Sequence, residues 1–301
     1  WMSVPVLGTS PGRRYGHTMI FNKPLLIVFG GNNGQQAEND IWVLDVERSP
    51  FQWSEVSVMH TRVPLPRVYH SAEVCREGPA AGMMVVFGGR TAENKSLKDT
   101  WGLRQHRDGR WDWVEAPAKR GPPPEPRFQH SCVFLDSKLL IVGGRGSEVN
   151  KPLPTAVYDT ESCEWRNVCS VQRFRHSSWG AGNILFSYGG FDHKNPSAPT
   201  SDLQVLDLER AIAAAASAVA SGGDEAASSS DALGEGLAAS ADMSPYSGAA
   251  GSRLRPVIAA DGTRPATPPR GRILGAPMTR GLAAHEGGEI RISGQVFVSL
   301  E

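Results

Sequence analysis

Neither sign of charge is in excess in this 301-residue chain: Lys plus Arg and Asp plus Glu both number 31, so the net charge is near zero. Such a balance gives no general pull toward nucleic acid or an anionic membrane, and neither is expected as a partner. Cysteine is scarce, with only Cys75, Cys132, Cys163 and Cys169 present. None forms a C-x-x-C pair and each sits in or beside an apolar, strand-like stretch, which reads as reduced thiols and not as a disulfide framework or zinc site. Long apolar runs are missing, since none approaches the ~20 residues of a membrane-spanning helix, and the N-terminus lacks the charged-then-apolar layout of a signal peptide. These absences predict an intracellular, soluble protein of the cytoplasm, the nucleus or both. Trp1 stands where Met would open a complete chain, so the sequence reads as a fragment or a processed product. A hydrophobic content of 40% is still ample for a core.

What is present in abundance is repetition. Each of four units opens with Arg-x-x-His and a hydroxyl residue: Arg14/His17/Thr18, Arg67/His70/Ser71, Arg127/His130/Ser131 and Arg173/His176/Ser177. An apolar run then ends in a glycine pair, at Gly30-Gly31, Gly88-Gly89, Gly143-Gly144 and Gly189-Gly190. A second β-rich run follows, and three units close on a tryptophan, at Trp53, Trp113 and Trp165. Three periods separate His17 from His176, a mean of 53 residues. That is near the period of ~50 of Kelch repeats and longer than the ~40–45 of WD40 repeats.

Short apolar runs bounded by Gly, Pro, Asn and Asp are of strand length, so each unit is predicted to be a blade of antiparallel strands. A blade cannot bury both its faces alone, and radial repetition solves this while leaving short edges. The fold class predicted is therefore all-β, a Kelch-type β-propeller of four blades plus the last strand of a preceding blade. The blades are expected near 14–58, 67–116, 127–170 and 173–208. Trp1 precedes Arg14 almost as Trp53 precedes Arg67 and Trp113 precedes Arg127, which puts it in phase with a closing strand. Either the start of the chain closes the fourth blade of a small ring, or the four blades belong to a larger ring; the rarity of four-bladed rings favours the latter.

The anchors invite chemical readings that their periodicity weakens. Four Arg-x-x-His sets could form a metal or phosphate ring, but one per blade at the same phase is more simply structural, with Arg satisfying carbonyls and His bridging strands. The glycine pairs lack G-x-x-x-x-G-K-[ST] and no helix follows them, so they are no phosphate loop. The tryptophans are expected between blades as core, with Trp113 on the inter-blade face and Trp111 nearer the blade's edge.

After Asp207 the composition shifts. Leu208 onward is a strong helix former that Asp207 can cap, predicting a short Ala-rich helix over 208–221. Residues 222–288 are rich in Ala, Ser, Gly, Pro and Arg and read as a disordered low-complexity linker. Ser244-Pro245 and Thr267-Pro268 make Ser244 and Thr267 candidate phosphosites. Alternating apolar residues over 289–301 read as an isolated strand.

The stretches Gly82-Met83-Met84-Val85-Val86-Phe87-Gly88-Gly89-Arg90, Asp99-Thr100-Trp101-Gly102-Leu103-Arg104-Gln105-His106-Arg107-Asp108-Gly109-Arg110-Trp111-Asp112-Trp113-Val114 and Gln172-Arg173-Phe174-Arg175-His176-Ser177 resemble the Kelch region of the phosphatases with Kelch-like domains. These are serine/threonine phosphatases of plants and alveolate protists, the plant members acting in brassinosteroid signalling. The resemblance covers roughly residues 1–208. It implies an N-terminal six-bladed propeller, a linker, and a dimetal phosphatase domain after it. No G-D-x-H-G, G-D-x-x-D-R-G or G-N-H-E segment is present, so no catalytic or metal-binding residue carries over. The two divalent metal ions the resemblance implies would belong to a phosphatase domain that this chain does not contain, and no cofactor is expected here.

The functional expectation is thus a regulatory and targeting propeller of a serine/threonine phosphatase that binds protein partners. The alternative is a stand-alone Kelch scaffold or substrate adaptor, and an enzyme site in the channel finds no supporting constellation. For partner binding the second unit offers Arg104, His106, Arg107 and Arg110 around an Asp108-Gly109 hairpin turn, a cationic tip suited to acidic or phosphorylated segments.

Overall fold

In the computed structural model, residues 2–59, 62–148 and 151–220 are described. Trp1, Ser244, Thr267, the expected linker and the expected strand at 289–301 lie outside the described residues. The chain opens with β1 (Val6–Leu7) and then lays down two four-stranded antiparallel blades in chain order. The first is β2 (Thr18–Asn22), β3 (Leu25–Asn32), β4 (Ala37–Asp45) and β5 (Phe51–Glu55), and the second is β6 (Ser71–Val74), β7 (Met84–Arg90), β8 (Ser96–Gln105) and β9 (Trp111–Glu115). The third blade repeats the order with β10 (Ser131–Leu135), β11 (Lys138–Val142), β12 (Pro154–Asp159) and β13 (Glu164–Ser170). The fourth has a short pair, β14 (Arg173–Phe174) with β17 (Phe191–Asp192), and a three-stranded sheet of β15 (Ser177–Ala181), β16 (Ile184–Tyr188) and β18 (Leu203–Asp207). The chain is a four-blade propeller arrangement, mostly strand with a single long helix among the described residues.

The run Met84-Val85-Val86-Phe87 shows why these segments are strands. β-Branched and aromatic side chains suit a pleated surface, and all four are buried because successive residues face opposite neighbouring blades. Met84 and Val86 point into the core shared with the first blade, which also holds Ile20, Ile27, Phe29, Ile41 and Trp113. Val85 and Phe87 point into the core shared with the third, beside Cys132, Ile141, Tyr158 and Trp165. The wedge tryptophans lie tilted against the preceding blade, Trp113 with its ring 4.9 Å from that of Phe29 and Trp165 with its ring 5.9 Å from that of Phe87. Trp111 and Trp113 are both buried in that first core, so the expected difference between them is small. Two residues apart on one strand, they point to the same side, and the parallel approach of the chain at Val58 covers Trp111 at the outer edge.

That parallel approach recurs. The chain leaving an outer strand lies alongside the outer strand of the next blade, at Val58 with Trp111 and at Arg120 with Glu164. Val6 and Leu7 run in the same way beside Phe51 and Gln52 on β5. The start of the chain therefore pairs with the first blade and does not complete the sheet of the fourth.

The fourth blade has no closing tryptophan, and a helix fills the space. α1 (Leu208–Ala220) begins where Asp207 Oδ1 accepts the Arg210 N–H at 3.1 Å, a side-chain cap. Leu208, Ala211, Ile212 and Ala215, at helical spacing on one face, pack on the core of Val133, Val142, Val157, Val168 and Val171. Val142 stands where Phe29 and Phe87 stand in earlier blades, and this core is shared with the helix face instead of a closing tryptophan.

Candidate interaction site

The repeat anchors turn inward. Arg67 donates to the Gly88 carbonyl at 2.9 Å and clasps both oxygens of Asp99, at 2.8 and 2.7 Å. Arg14 does the same with Gly30 and Asp40 in the first blade, at 2.9 Å and at 2.7 and 2.9 Å. Arg173 holds Asp192 at 2.6 Å and Asp202 at 3.0 Å. Burial pushes the Asp99 carboxyl up, but the Arg67 guanidinium and the indole N–H of Trp101 outweigh it and hold Asp99 below the usual carboxylate range.

The histidines link blades. His70 Nε2 is 2.9 Å from the Thr18 hydroxyl, and His176 Nε2 is 2.9 Å from that of Ser131. Burial first, and the nearby arginine second, keep His70 and His130 well below the usual imidazole range and bring His176 down to about 3. A glycine pair makes room for this contact: at Gly89, with φ of 99°, a β-carbon would lie 2.9 Å from His70 Cβ and from the Val68 carbonyl. The second glycine N–H of the first three pairs also donates to the next blade's arginine carbonyl, Gly31 to Arg67 at 2.9 Å, Gly89 to Arg127 at 2.9 Å and Gly144 to Arg173 at 2.8 Å. Among the described residues no group of three His, Cys, Asp or Glu is placed to hold a metal ion, and no helix is long and apolar enough to cross a membrane.

The cationic hairpin of the second blade is largely self-paired. Arg104 bonds Asp112 at 2.9 Å, His106 Nε2 is 3.1 Å from the same carboxylate, and Arg110 bonds Asp108 at 2.7 Å. Burial pushes the Asp112 carboxyl up, and Arg104 and His106 outweigh it to leave it below its usual range. The turn spans three residues and not two, with His106 N–H to the Arg110 carbonyl at 2.8 Å, Gly109 N–H to the His106 carbonyl at 2.9 Å, and Gly109 at φ of 84°. Of the four residues expected to bind a partner, Arg107 alone makes no hydrogen bond or ion pair among the described residues.

At the opposite end of the blades lies a cationic cluster that the repeat pattern does not announce. Registers fix the polarity: Arg90 pairs with Ser96 at one end of the β7–β8 ladder and Met84 pairs with Leu103 toward the other, from which the Arg104–Arg110 hairpin projects. Arg90 follows one glycine pair and Arg145 the next, while Arg175 immediately precedes His176. Each guanidinium lies over an aromatic ring: Arg90 over Phe128 at 4.9 Å, Arg145 over Phe174 at 4.7 Å and Arg175 over Phe191 at 5.9 Å. The rings are held by the same backbone that presents the arginines, since Phe128 and Arg145 exchange N–H donors at 3.0 and 2.9 Å.

A backbone ladder sets the spacing of this cluster. The residue before each repeat histidine has positive φ: Gly16, Tyr69, Gln129 and Arg175, at 67°, 56°, 57° and 55°. In that conformation Tyr69 N–H donates to Gly16, Gln129 N–H to Tyr69 and Arg175 N–H to Gln129, at 2.8, 3.0 and 2.9 Å. The four residues thus form a continuous hydrogen-bonded arc from blade to blade, and Arg175 is its fourth member.

Comparison with known proteins agrees with the architecture. The family described as the attractin/LZTR1 β-propeller matches residues 1–208. A serine/threonine-protein phosphatase of Arabidopsis thaliana, BSL2, is 32% identical over 217 residues, covering 63% of this chain and 20% of that protein. Adagio protein 3 of the same plant is 35% identical over 179 residues, covering 57% of this chain and 27% of its own length. An F-box/kelch-repeat protein, also of Arabidopsis thaliana, is 33% identical over 224 residues, covering 66% of this chain and 44% of its own. The chain therefore spans less than half the length of each of these relatives.

Proposed function

Because the chain belongs to the attractin/LZTR1 β-propeller family, we propose that this protein-interaction propeller serves as the regulatory and targeting region of a serine/threonine protein phosphatase. The observation that carries this reading is the similarity to the phosphatase BSL2 across 63% of the chain. The chain is a propeller domain and not a catalytic one. Its buried polar anchors, from Arg67 to His176, are committed to holding blades together, which leaves the loops at the two ends for recognition. Phosphoryl hydrolysis and the two divalent metal ions it uses would belong to a separate domain.

A second reading, a scaffold or substrate adaptor, is favoured by the similarity to an F-box/kelch-repeat protein over 66% of the chain. Reading the transcript downstream of Glu301 and deleting the propeller in cells separates the two. The phosphatase reading expects a G-D-x-H-G box downstream and a loss of dephosphorylation of particular substrates on propeller deletion. A stop codon after Glu301, or dephosphorylation indifferent to the deletion, overturns it and leaves the adaptor.

A further inference from the structure

Three arginines stand close together on blades two to four, and none of them has a carboxylate partner among the described residues. Arg90, Arg145 and Arg175 are absent from every ion pair, whereas Arg14, Arg67, Arg104, Arg110 and Arg173 each hold an aspartate. Burial and then the charges of Arg175 and Arg90 push the Arg145 guanidinium below its usual range, and no acidic group offsets them. In a chain with no net charge, such a local concentration of uncompensated cations is a segregation of charge.

The way the arginines are held fixes their orientation without neutralising their charge. Stacking on Phe128, Phe174 and Phe191 uses the flat faces of the guanidinium groups, and the five N–H donors of an arginine lie in its plane. The Nε atoms of Arg90 and Arg145 are buried and without a hydrogen-bond partner. Arg175 is steadied by a neutral acceptor: with the Gln129 amide oxygen turned to it, Nε and Nη2 donate at 2.8 and 3.0 Å, which orients the fork without cancelling its charge. Leaving like charges together and desolvated costs free energy, and a ligand bearing anionic oxygens would recover it.

We propose that Arg90, Arg145 and Arg175 form a docking site for an anionic peptide segment of a partner protein, the arginine forks taking phosphoryl or clustered carboxylate oxygens while Phe128 and Phe174 hold the forks in place. This rests on the interaction-module reading and deepens it by naming the chemistry of the partner. It also moves the expected recognition of acidic segments from the self-paired Arg104–Arg110 hairpin to the other end of the blades.

The test uses the full chain and three degenerate peptide libraries that share flanking composition and differ at a fixed centre: phosphoserine, Glu-Glu, or serine. Retention of the phosphoserine library or the Glu-Glu library at least tenfold above the serine library is expected, falling as salt is raised. The library retained tells whether a phosphorylated or a merely acidic partner is bound. Arg175→Ala should lose most of that preference, with a slightly lowered melting temperature from the loss of its two Gln129 bonds, and Arg145→Lys, which keeps the charge but not the planar fork, should lose part of it. Equal retention of the three libraries, or an anionic preference that survives Arg145→Lys and Arg175→Ala together, overturns the proposal. If the variants still capture the partners of the parent chain, the site is wrong while the interaction reading stands.

Discussion

Arg127 and Pro154 occupy in the third blade the positions that Arg67 and Asp99 occupy in the second, and Pro154 has no carboxylate to complete the clasp. Arg127 is fully buried and donates to the Gly143 and Pro154 carbonyls at 3.2 and 2.9 Å, while its Nη2 and the Thr155 hydroxyl are left without hydrogen-bond partners. Burial lowers its pKa to about 10, with only the charge of Glu125 opposing. Pro154→Asp should restore the missing clasp and stabilise the chain by about 1–2 kcal/mol, the range of charged hydrogen bonds less the cost of burying the carboxylate. Differential scanning calorimetry checks this, and a lowered melting temperature would show that the third blade tolerates no carboxylate there.

Trp113→Ala and Trp111→Ala should each cost roughly 3–5 kcal/mol, since both rings are buried in the core between the first two blades. Urea denaturation of the two variants is the measurement. A Trp111→Ala protein as stable as the parent would mean that the outer-edge cover at Val58 is too loose to count.

Helix α1 should act as part of the core. Ile212→Glu places a carboxylate against Val168 and Val171 and should destabilise by about 2 kcal/mol, whereas Ala214→Glu on the exposed face should be near neutral. Equal melting temperatures for the two variants would detach the helix from the stability of the blades.

Stability should rise with pH to a plateau above about 7, because two kinds of buried group oppose each other and the histidines outnumber the carboxyl. Neutral His70, His130 and His176 have depressed folded-state pKa values, so their contribution is intact above 6.5 and is lost progressively as pH falls below it. Glu73 is raised by burial from 4.5 to about 7, against the Val74 N–H and the Arg76 charge, so its effect has the other sign and stability is lost as pH rises from 4.5 through 7. At pH 5.5 the histidines outnumber Glu73, so unfolding should take up protons on balance and stability should rise with pH. Glu73→Gln removes this opposition, so stability should fall more steeply as pH drops below 6.5 and stay unchanged above 7, as read from melting temperatures between pH 5 and 8.

The blades were legible in the sequence because each anchor serves a contact made once per repeat: Arg to the glycine carbonyl, His to the neighbouring hydroxyl, Trp into the wedge. Periodicity reports such duties directly. The fourth blade's substitute for a tryptophan was legible only as a helix, since nothing in the Ala-rich run says which core it covers; the packing of Leu208 and Ile212 on the core shared with the third blade is a tertiary fact. The arginine cluster stayed hidden for a related reason. Arg90 and Arg145 do follow glycine pairs in two consecutive units, a signal within reach, but Asn32 and Phe191 hold that place in the other two, so no four-fold pattern marks it. The hairpin signal at Asp108-Gly109 located a turn correctly and said nothing of Asp112, eight residues along from Arg104, whose carboxylate takes up the charge.

The ladder through Gly16, Tyr69, Gln129 and Arg175 joins each blade to the one before it by the same donor and acceptor. Such a joint is indifferent to how many units stand in the row, because any blade presents to its successor what its predecessor presented to it. Genetic duplication or loss of a whole unit would leave every surviving joint chemically identical, so lineages can change the number of blades without first inventing a new seam.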